Sequence, residues 1–314
     1  MNNNRVLVTG VAGFIGSNLA ERLLKENYEV IGIDNLMQGL KEQIPHGVEF
    51  HNLDIRSSEI YPVFKGIDTV FHLAAKNTIV DCQKNPVETA DINITGTINV
   101  FKAAQEAGVR KVIYAESSAV YEGTSVFPTP ESEERPQSFY ADSKMSSYLF
   151  AKTFEKFHGL KTTGLRYFNV YGPRQDYRRS IPPIMSDFII KMLKGKRPTL
   201  YGDGWRTKDY IYVDDINDFH LLAMRDARTD GEVYNLGTGK ETSFKELFET
   251  IRDLLGVDIE PELLPDLPPE VGRVERTLAD ITKARSLGWK PKTELRDGLS
   301  KMISYIKENV MPRL

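Results

Sequence analysis

The chain has 314 residues, 40% hydrophobic and 27% charged, with a formal net charge of -3. That balance excludes a disordered chain, offers no electrostatic reason to bind nucleic acid or an anionic membrane, and suits two closely joined domains. Its single cysteine, Cys82, excludes an intrachain disulfide and points to the reducing cytosol.

The amino terminus lacks the apolar core of a signal peptide and runs into a β-branched stretch, Arg5 to Thr9, that predicts a strand. Phe14 to Asn27 reads as a helix with Ile15, Leu19 and Leu23 on one face. Further strands are expected at Glu29 to Ile33, Val48 to His51, Thr69 to Leu73, Lys111 to Ala115 and Thr162 to Arg166, with helices at Pro86 to Ala107 and Ser138 to His158. Asp209 to Val213 and Val233 to Leu236 are candidates to extend the same sheet. Apolar strands alternating with helices predict an α/β fold with a doubly wound parallel sheet of Rossmann type. Prolines cluster beyond Gly172, which predicts a smaller, loop-rich, mixed carboxyl-terminal lobe. The expected division is 1–172 for the larger lobe, with 209–237 returning to it, and 173–208 plus 238–314 for the smaller one. No stretch approaches the ~20 apolar residues of a membrane span.

The turn Thr9-Gly10-Val11-Ala12-Gly13-Phe14-Ile15-Gly16 follows a strand and opens a helix, the context of a dinucleotide-binding turn. Glycines admit close backbone approach, and the helix amino terminus offers N–H groups to a pyrophosphate. Asp34, ending the second strand, can accept from both ribose hydroxyls and would repel a 2′-phosphate, so NAD is expected over NADP. Asp54 and Ile55 can border an adenine, or Asp54 can be an exposed strand end.

Tyr140 and Lys144 stand one helical turn apart on the same face of the predicted helix. The ammonium, with the charge of oxidised nicotinamide, is expected to pull the phenol below its ordinary ~10 and bring a general base toward working pH. Ser117, at a strand's carboxyl end, can share the substrate proton. The five histidines are scattered without ligand spacing, so no metal site is expected, and His72 reads as a packed side chain. Glu131 to Glu134 and Asp214-Asp215 read as solvated turn and helix-start positions.

These motifs together make the chain resemble the extended short-chain dehydrogenase/reductases, within the UDP-glucose 4-epimerase group of nucleotide-sugar enzymes. The resemblance rests on the glycine turn, His72-Leu73-Ala74-Ala75, Asn93-x-x-Gly96-Thr97 and Ser117-Ser118-Ala119-Val120-Tyr121. It continues through Tyr140-x-x-Ser143-Lys144, Arg166-Tyr167-Phe168-Asn169-Val170-Tyr171-Gly172-Pro173-Arg174, and Asp209-Tyr210-x-Tyr212-Val213-x-Asp215. It implies NAD held by the glycine turn, Asp34, Asn35, Asp54, Ile55, Leu73, Ala74 and Ala75, with Lys76 or Asn77 beside it. It implies Ser117, Tyr140 and Lys144 as catalytic, and a UDP-sugar, or another nucleoside-diphosphate sugar, near Ser117, Ser118, Asn169, Lys208, Arg273 and Thr277. It also implies a homodimer formed through the two long helices, whose apolar faces could instead cover the sheet. Three departures stand out. Lys208 replaces an arginine, Arg273 or Arg276 must stand in for another, and Glu122 intrudes between Tyr121 and Gly123.

Related dehydratases carry an Asp-Glu pair after the serine and decarboxylases a Glu, whereas this chain has Ser118-Ala119. Epimerisation at carbon 4 through a transient 4-keto sugar needs only Tyr140. The alternatives are a 4,6-dehydratase, a 4-keto reductase, a UDP-glucuronate 4-epimerase, or a non-catalytic NAD-binding protein. In the 4-epimerases the residue at Thr277 gates space beside the sugar's 2-substituent. A small residue there implies that N-acetylhexosamines are accepted alongside glucose and galactose, while the Arg174 to Arg179 loop offers charge for a uronate.

Overall fold

In the computed structural model, residues 4–179, 181–265 and 274–314 are described. Strands β1 (Arg5–Thr9), β2 (Glu29–Asp34), β3 (Glu49–Asn52) and β4 (Thr69–His72) enclose α1 (Phe14–Lys25). Helices α2 (Ile79–Lys84), α3 (Pro86–Ala90) and α4 (Gly96–Glu106) lead into β5 (Lys111–Ser117), α5 (Phe139–His158) and β6 (Lys161–Tyr167). Then come β7 (Asn169–Tyr171), α6 (Ile184–Leu193), β8 (Thr199–Tyr201), β9 (Thr207–Lys208), β10 (Tyr210–Tyr212), α7 (Val213–Arg225) and β11 (Glu232–Leu236). The remaining elements are β12 (Thr242–Ser243), α8 (Phe244–Leu255), β13 (Glu262–Leu264), α9 (Thr282–Ser286) and α10 (Leu295–Tyr305).

Seven parallel strands run in the order β11-β6-β5-β4-β1-β2-β3. Alternate residues face opposite sides, so each central strand feeds two cores. Val6, Val8, Phe71, Ile113 and Leu165 pack with Leu19, Leu23 and Phe219 on one face. Leu7, Ile31, Val70 and Val112 pack with Val100, Phe101 and Ala151 on the other. The strand order reverses between β1 and β4, and a parallel sheet opens its ligand crevice at that point.

Three expectations need correction. Tyr210–Tyr212 does not extend the large sheet: β10 pairs only with β7, in a separate parallel ribbon. Tyr171, Tyr210 and Tyr212 instead join Phe188, Phe248 and Leu299 in a third core under the smaller lobe. Pro86 to Ala107 is not one regular helix, because a π-helical turn at Asp91–Thr95 separates α3 from α4. That turn places Asn93 where its Oδ1 accepts from Lys76 N at 2.7 Å and its Nδ2 donates to Ser143 Oγ at 2.9 Å. The acidic stretches are not simply solvated. Glu134 pairs with the buried Arg166, Glu131 accepts from Asn235 N, and the buried Asp215 accepts from Lys292 N and Thr293 N.

Candidate active site

A cleft of ≈ 960 Å³ lies along the carboxyl ends of the sheet strands, roofed by Met185, Phe188 and Lys191 of α6. That volume stands at the upper end for small-molecule sites, enough for more than one ligand. Its wall holds Gly10, Gly13, Phe14, Ile15, Gly16, Asp34, Asn35, Asp54, Ile55, Leu73, Ala74 and Ala75. It also holds Ser117, Ser118, Tyr140, Lys144, Asn169, Lys208 and Thr277. Arg273 lies outside the described residues.

The glycine turn is shaped by contact. A Cβ at Gly10, whose φ is +74°, would stand 2.8 Å from Ala74 N, and one at Gly16 would stand 2.1 Å from Gly10 O. Either would push the turn away from β4 or from α1. No side chain caps α1 at Gly13, so the helix presents its positive end to an anion. Asp34 closes the neighbouring strand, its Oδ2 accepting from Ala12 N at 3.0 Å and its Oδ1 from Leu36 N at 2.8 Å. Burial raises its pKa, and these two amides oppose the rise. Asn35 donates to Asp54 Oδ2 at 2.8 Å, and Arg56 forks onto the same carboxylate, holding it well below the usual range. Cradle, helix terminus and ribose-facing carboxylate fit a dinucleotide such as NAD.

The residues expected to transfer the proton come from two elements. β5 ends at Ser117, and α5 brings Tyr140 in its first turn and Lys144 one turn later, behind the N-cap Ser138. Lys144 is 6% exposed, and burial pushes its ammonium down to about 8 against the pull of Glu116. The Tyr140 phenol is pushed up, not down: burial dominates, and the Ser117 hydrogen bond and the Arg179 charge offset it only in part. The expected lowering by Lys144 is therefore not supplied by the chain itself. Behind Lys144, the fully buried Glu116 pairs with the fully buried Arg166 at 2.8 Å, and Arg166 also donates to Tyr121 Oη at 2.9 Å. Arg166 also donates to Glu131 O and pairs with Glu134, and the bonded guanidinium fixes the strand end that carries Ser117.

Toward the smaller lobe, Asn169 Nδ2 donates to Thr277 Oγ1 at 2.9 Å, and the same oxygen accepts from Asp209 N at 3.2 Å. Lys208 is half-buried, desolvation pushes its ammonium down to about 8 with Arg206 adding to the effect, and it donates to Val274 O. Lys76 pairs with Glu88 at the cleft edge. His72 is packed as expected, held by Thr9 and Thr97 and pushed down to about 3 by burial. Among the described residues no group of His, Cys, Asp and Glu could hold a metal ion, and no helix is long and apolar enough to cross a membrane.

The reading of the sequence missed the roof of the cleft, in Met185, Phe188, Tyr201 and Arg206, and did not place Glu122 in its wall. The apolar spacing of α6 after Pro182-Pro183 was the available signal, but it marks a buried helix without saying what it covers.

The chain belongs to the NAD dependent epimerase/dehydratase family, whose model matches residues 6–237. It is an NAD-dependent enzyme of that family. A UDP-glucose 4-epimerase of Mycolicibacterium smegmatis is 34% identical over 313 residues, covering 96% of this chain and 98% of its own. The crystal structure of UDP-glucose 4-epimerase from Thermotoga maritima with UDP-glucose superposes with a TM-score of 0.92 at 36% identity, covering 98% of this chain and 99% of its own. The UDP-N-acetylglucosamine 4-epimerase of Methanobrevibacter ruminantium, in complex with UDP-N-acetylmuramic acid, gives 0.93 at 32% identity, covering 99% and 100%.

Proposed function

We propose that this protein interconverts UDP-sugars that differ at carbon 4, through a transient 4-keto sugar, with N-acetylhexosamines accepted alongside glucose and galactose. The observation that carries the reading is the meeting of Ser117, Tyr140 and Lys144 in one cleft wall, beside a serine and an alanine rather than an acid–base pair. The glycine turn and Asp34 hold the cofactor. Asn169, Lys208, Thr277 and, outside the described residues, Arg273 hold the nucleoside-diphosphate sugar. Residues 1–172 with 209–237 form the cofactor lobe, and 173–208 with 238–314 form the substrate lobe, into whose core β7 and β10 reach.

NAD, held there, would supply the redox chemistry as a reversible hydride acceptor for carbon 4. Tyr140 Oη takes the proton of the sugar 4-hydroxyl, and Ser117 Oγ orients that transfer. Lys144 follows one turn along α5, and its charge together with that of oxidised nicotinamide would favour the phenolate. With the diphosphate anchored, the keto sugar turns over in the cleft, and Tyr140 gives the same proton back. One base serving both halves needs no second acid, unlike dehydration.

Small size and two satisfied hydrogen bonds at Thr277 leave room beside the sugar's 2-substituent, which supports acceptance of an acetamido group. The 4-epimerase relatives of both plain and acetylated type support the same range. Exposed Val87, Leu149 and Phe157, on α3 and α5, support a homodimer. NMR of the purified protein with a panel of UDP- and dTDP-sugars, and no added cofactor, tests the function. Interconversion of UDP-N-acetylglucosamine and UDP-N-acetylgalactosamine is expected. Release of a 4-keto-6-deoxy sugar would replace this reading with a dehydratase.

A further inference from the structure

Glu122 stands beside the reacting group, in the wall of the cleft. Its Oε1 accepts from Ser138 Oγ at 3.0 Å and its Oε2 from Gln137 N at 3.3 Å. Ser138 is the N-cap of α5, and its Oγ accepts from Ala141 N at 3.1 Å. One carboxylate thus grips both the cap and the residue before it. Tyr140 follows two positions later, in the helix's first turn. On its other side Glu122 closes the short 3₁₀ turn Ser118–Tyr121, which begins directly after Ser117. The backbone there is already tied, Gly123 N to Arg135 O at 2.9 Å and Arg135 N to Val120 O at 2.7 Å. Those ties hold the loop to its neighbour. The Glu122 side chain hydrogen-bonds it to the start of α5.

We propose that Glu122 is a positioning residue of the reaction: it clips the first turn of α5 to the turn after Ser117, fixing the Tyr140 phenol against Ser117, and it sets a negative charge beside that phenol. The inference rests on the reading of Tyr140 as the proton-transfer group. The groups that face the phenol are Ser117 from β5, Cys82 from α2, Arg179 from the loop before α6, and Glu122; Lys144 follows one turn along on α5 itself. Glu122 and Cys82 push the phenol up, while the Ser117 hydrogen bond and Arg179 pull it down. Asp142 on α5 faces Glu122 as a second anion. A base held up by an anion needs a higher pH to ionise, so removing the charge must move activity toward acid.

The test compares the wild-type holoenzyme with Glu122→Gln and Glu122→Gly. It uses pH profiles of kcat and the titration of 13Cζ-labelled tyrosine, assigned with Tyr140→Phe. Glu122→Gln keeps the shape and drops the charge. It should move both the acid limb of kcat and the Tyr140 midpoint to lower pH. Glu122→Gly should lower kcat about ten- to a hundredfold at every pH, the usual effect of a small misplacement, with KM and NAD affinity within about twofold. A role in stability alone would lower kcat evenly in both variants and leave the midpoint in place. An unmoved Tyr140 midpoint in Glu122→Gln, or a Glu122→Gly variant with wild-type kcat, overturns the proposal. If the wild type turns over no nucleotide sugar, the proposed function fails, and the Tyr140 midpoint still decides the place of Glu122.

Discussion

Replacing Lys144 with Met should make the protein more stable and inactive at once. Lys144 is 6% exposed, and burial pushes its ammonium down from 10.5 to about 8, with Glu116 and Cys82 acting in the opposite sense. At 1.36 kcal/mol per pH unit, a drop of that size sets a ceiling of about 3 kcal/mol on the cost of keeping the charge buried. Glu116 loses a nearby cation in the variant, so the gain expected at pH 7 is about 1–3 kcal/mol. The sign follows from proton binding. Below about pH 8 folded and unfolded chains both carry the proton, and the full cost applies. Between about 8 and 10.5 the folded chain sheds it first, so the stability of the wild type rises with pH. The advantage of Met should therefore be greatest near pH 7 and vanish near pH 10.5. Urea unfolding of both proteins at pH 7, 8.5 and 10, at matched NAD content, reads this directly, and turnover on UDP-sugars is measured on the same samples. A Met variant less stable than wild type at pH 7, one whose advantage does not change with pH, or one that keeps its rate would refute the reasoning.

Tyr140→Phe should abolish turnover, by more than the ~10²–10⁴-fold typical of a supporting acid–base group, while calorimetry finds NAD binding unchanged; a variant above half the wild-type rate would remove Tyr140 from the reaction. Asp34→Ala should relax the preference for NAD over NADP if the carboxylate fixed by Ala12 N and Leu36 N is the group that repels a 2′-phosphate. Equal affinity of the wild type for the two cofactors would count against that role. Thr277→Tyr should reduce turnover of acetylated UDP-sugars relative to plain ones. It also removes the Thr277 hydroxyl that Asn169 and Asp209 N share, at a stability cost of about 1 kcal/mol per bond, so initial rates on both sugars and a melting curve are read together. Unchanged relative rates would free Thr277 from any gating role.

What the sequence determined by itself was local. Apolar, β-branched runs placed β1, β4, β5 and β6, and a period of 3.6 placed α1, because such patterns record which surfaces each segment buries. Three glycines at the end of a strand required a tight turn, and four residues of helix set Tyr140 above Lys144. Everything that depended on partners distant in the chain was decided by the tertiary structure. Tyr210–Tyr212 had strand character, yet only the position of Asn169–Tyr171 determined which sheet it joined. Glu134 and Asp215 read as solvated charges until Arg166 and the backbone at Lys292 and Thr293 met them. The field around Tyr140 likewise combines Ser117, Cys82, Glu122 and Arg179, contributed by four separate segments. Ionisation follows from burial and from the sum of neighbouring charges, and both come into being only when the segments are packed together.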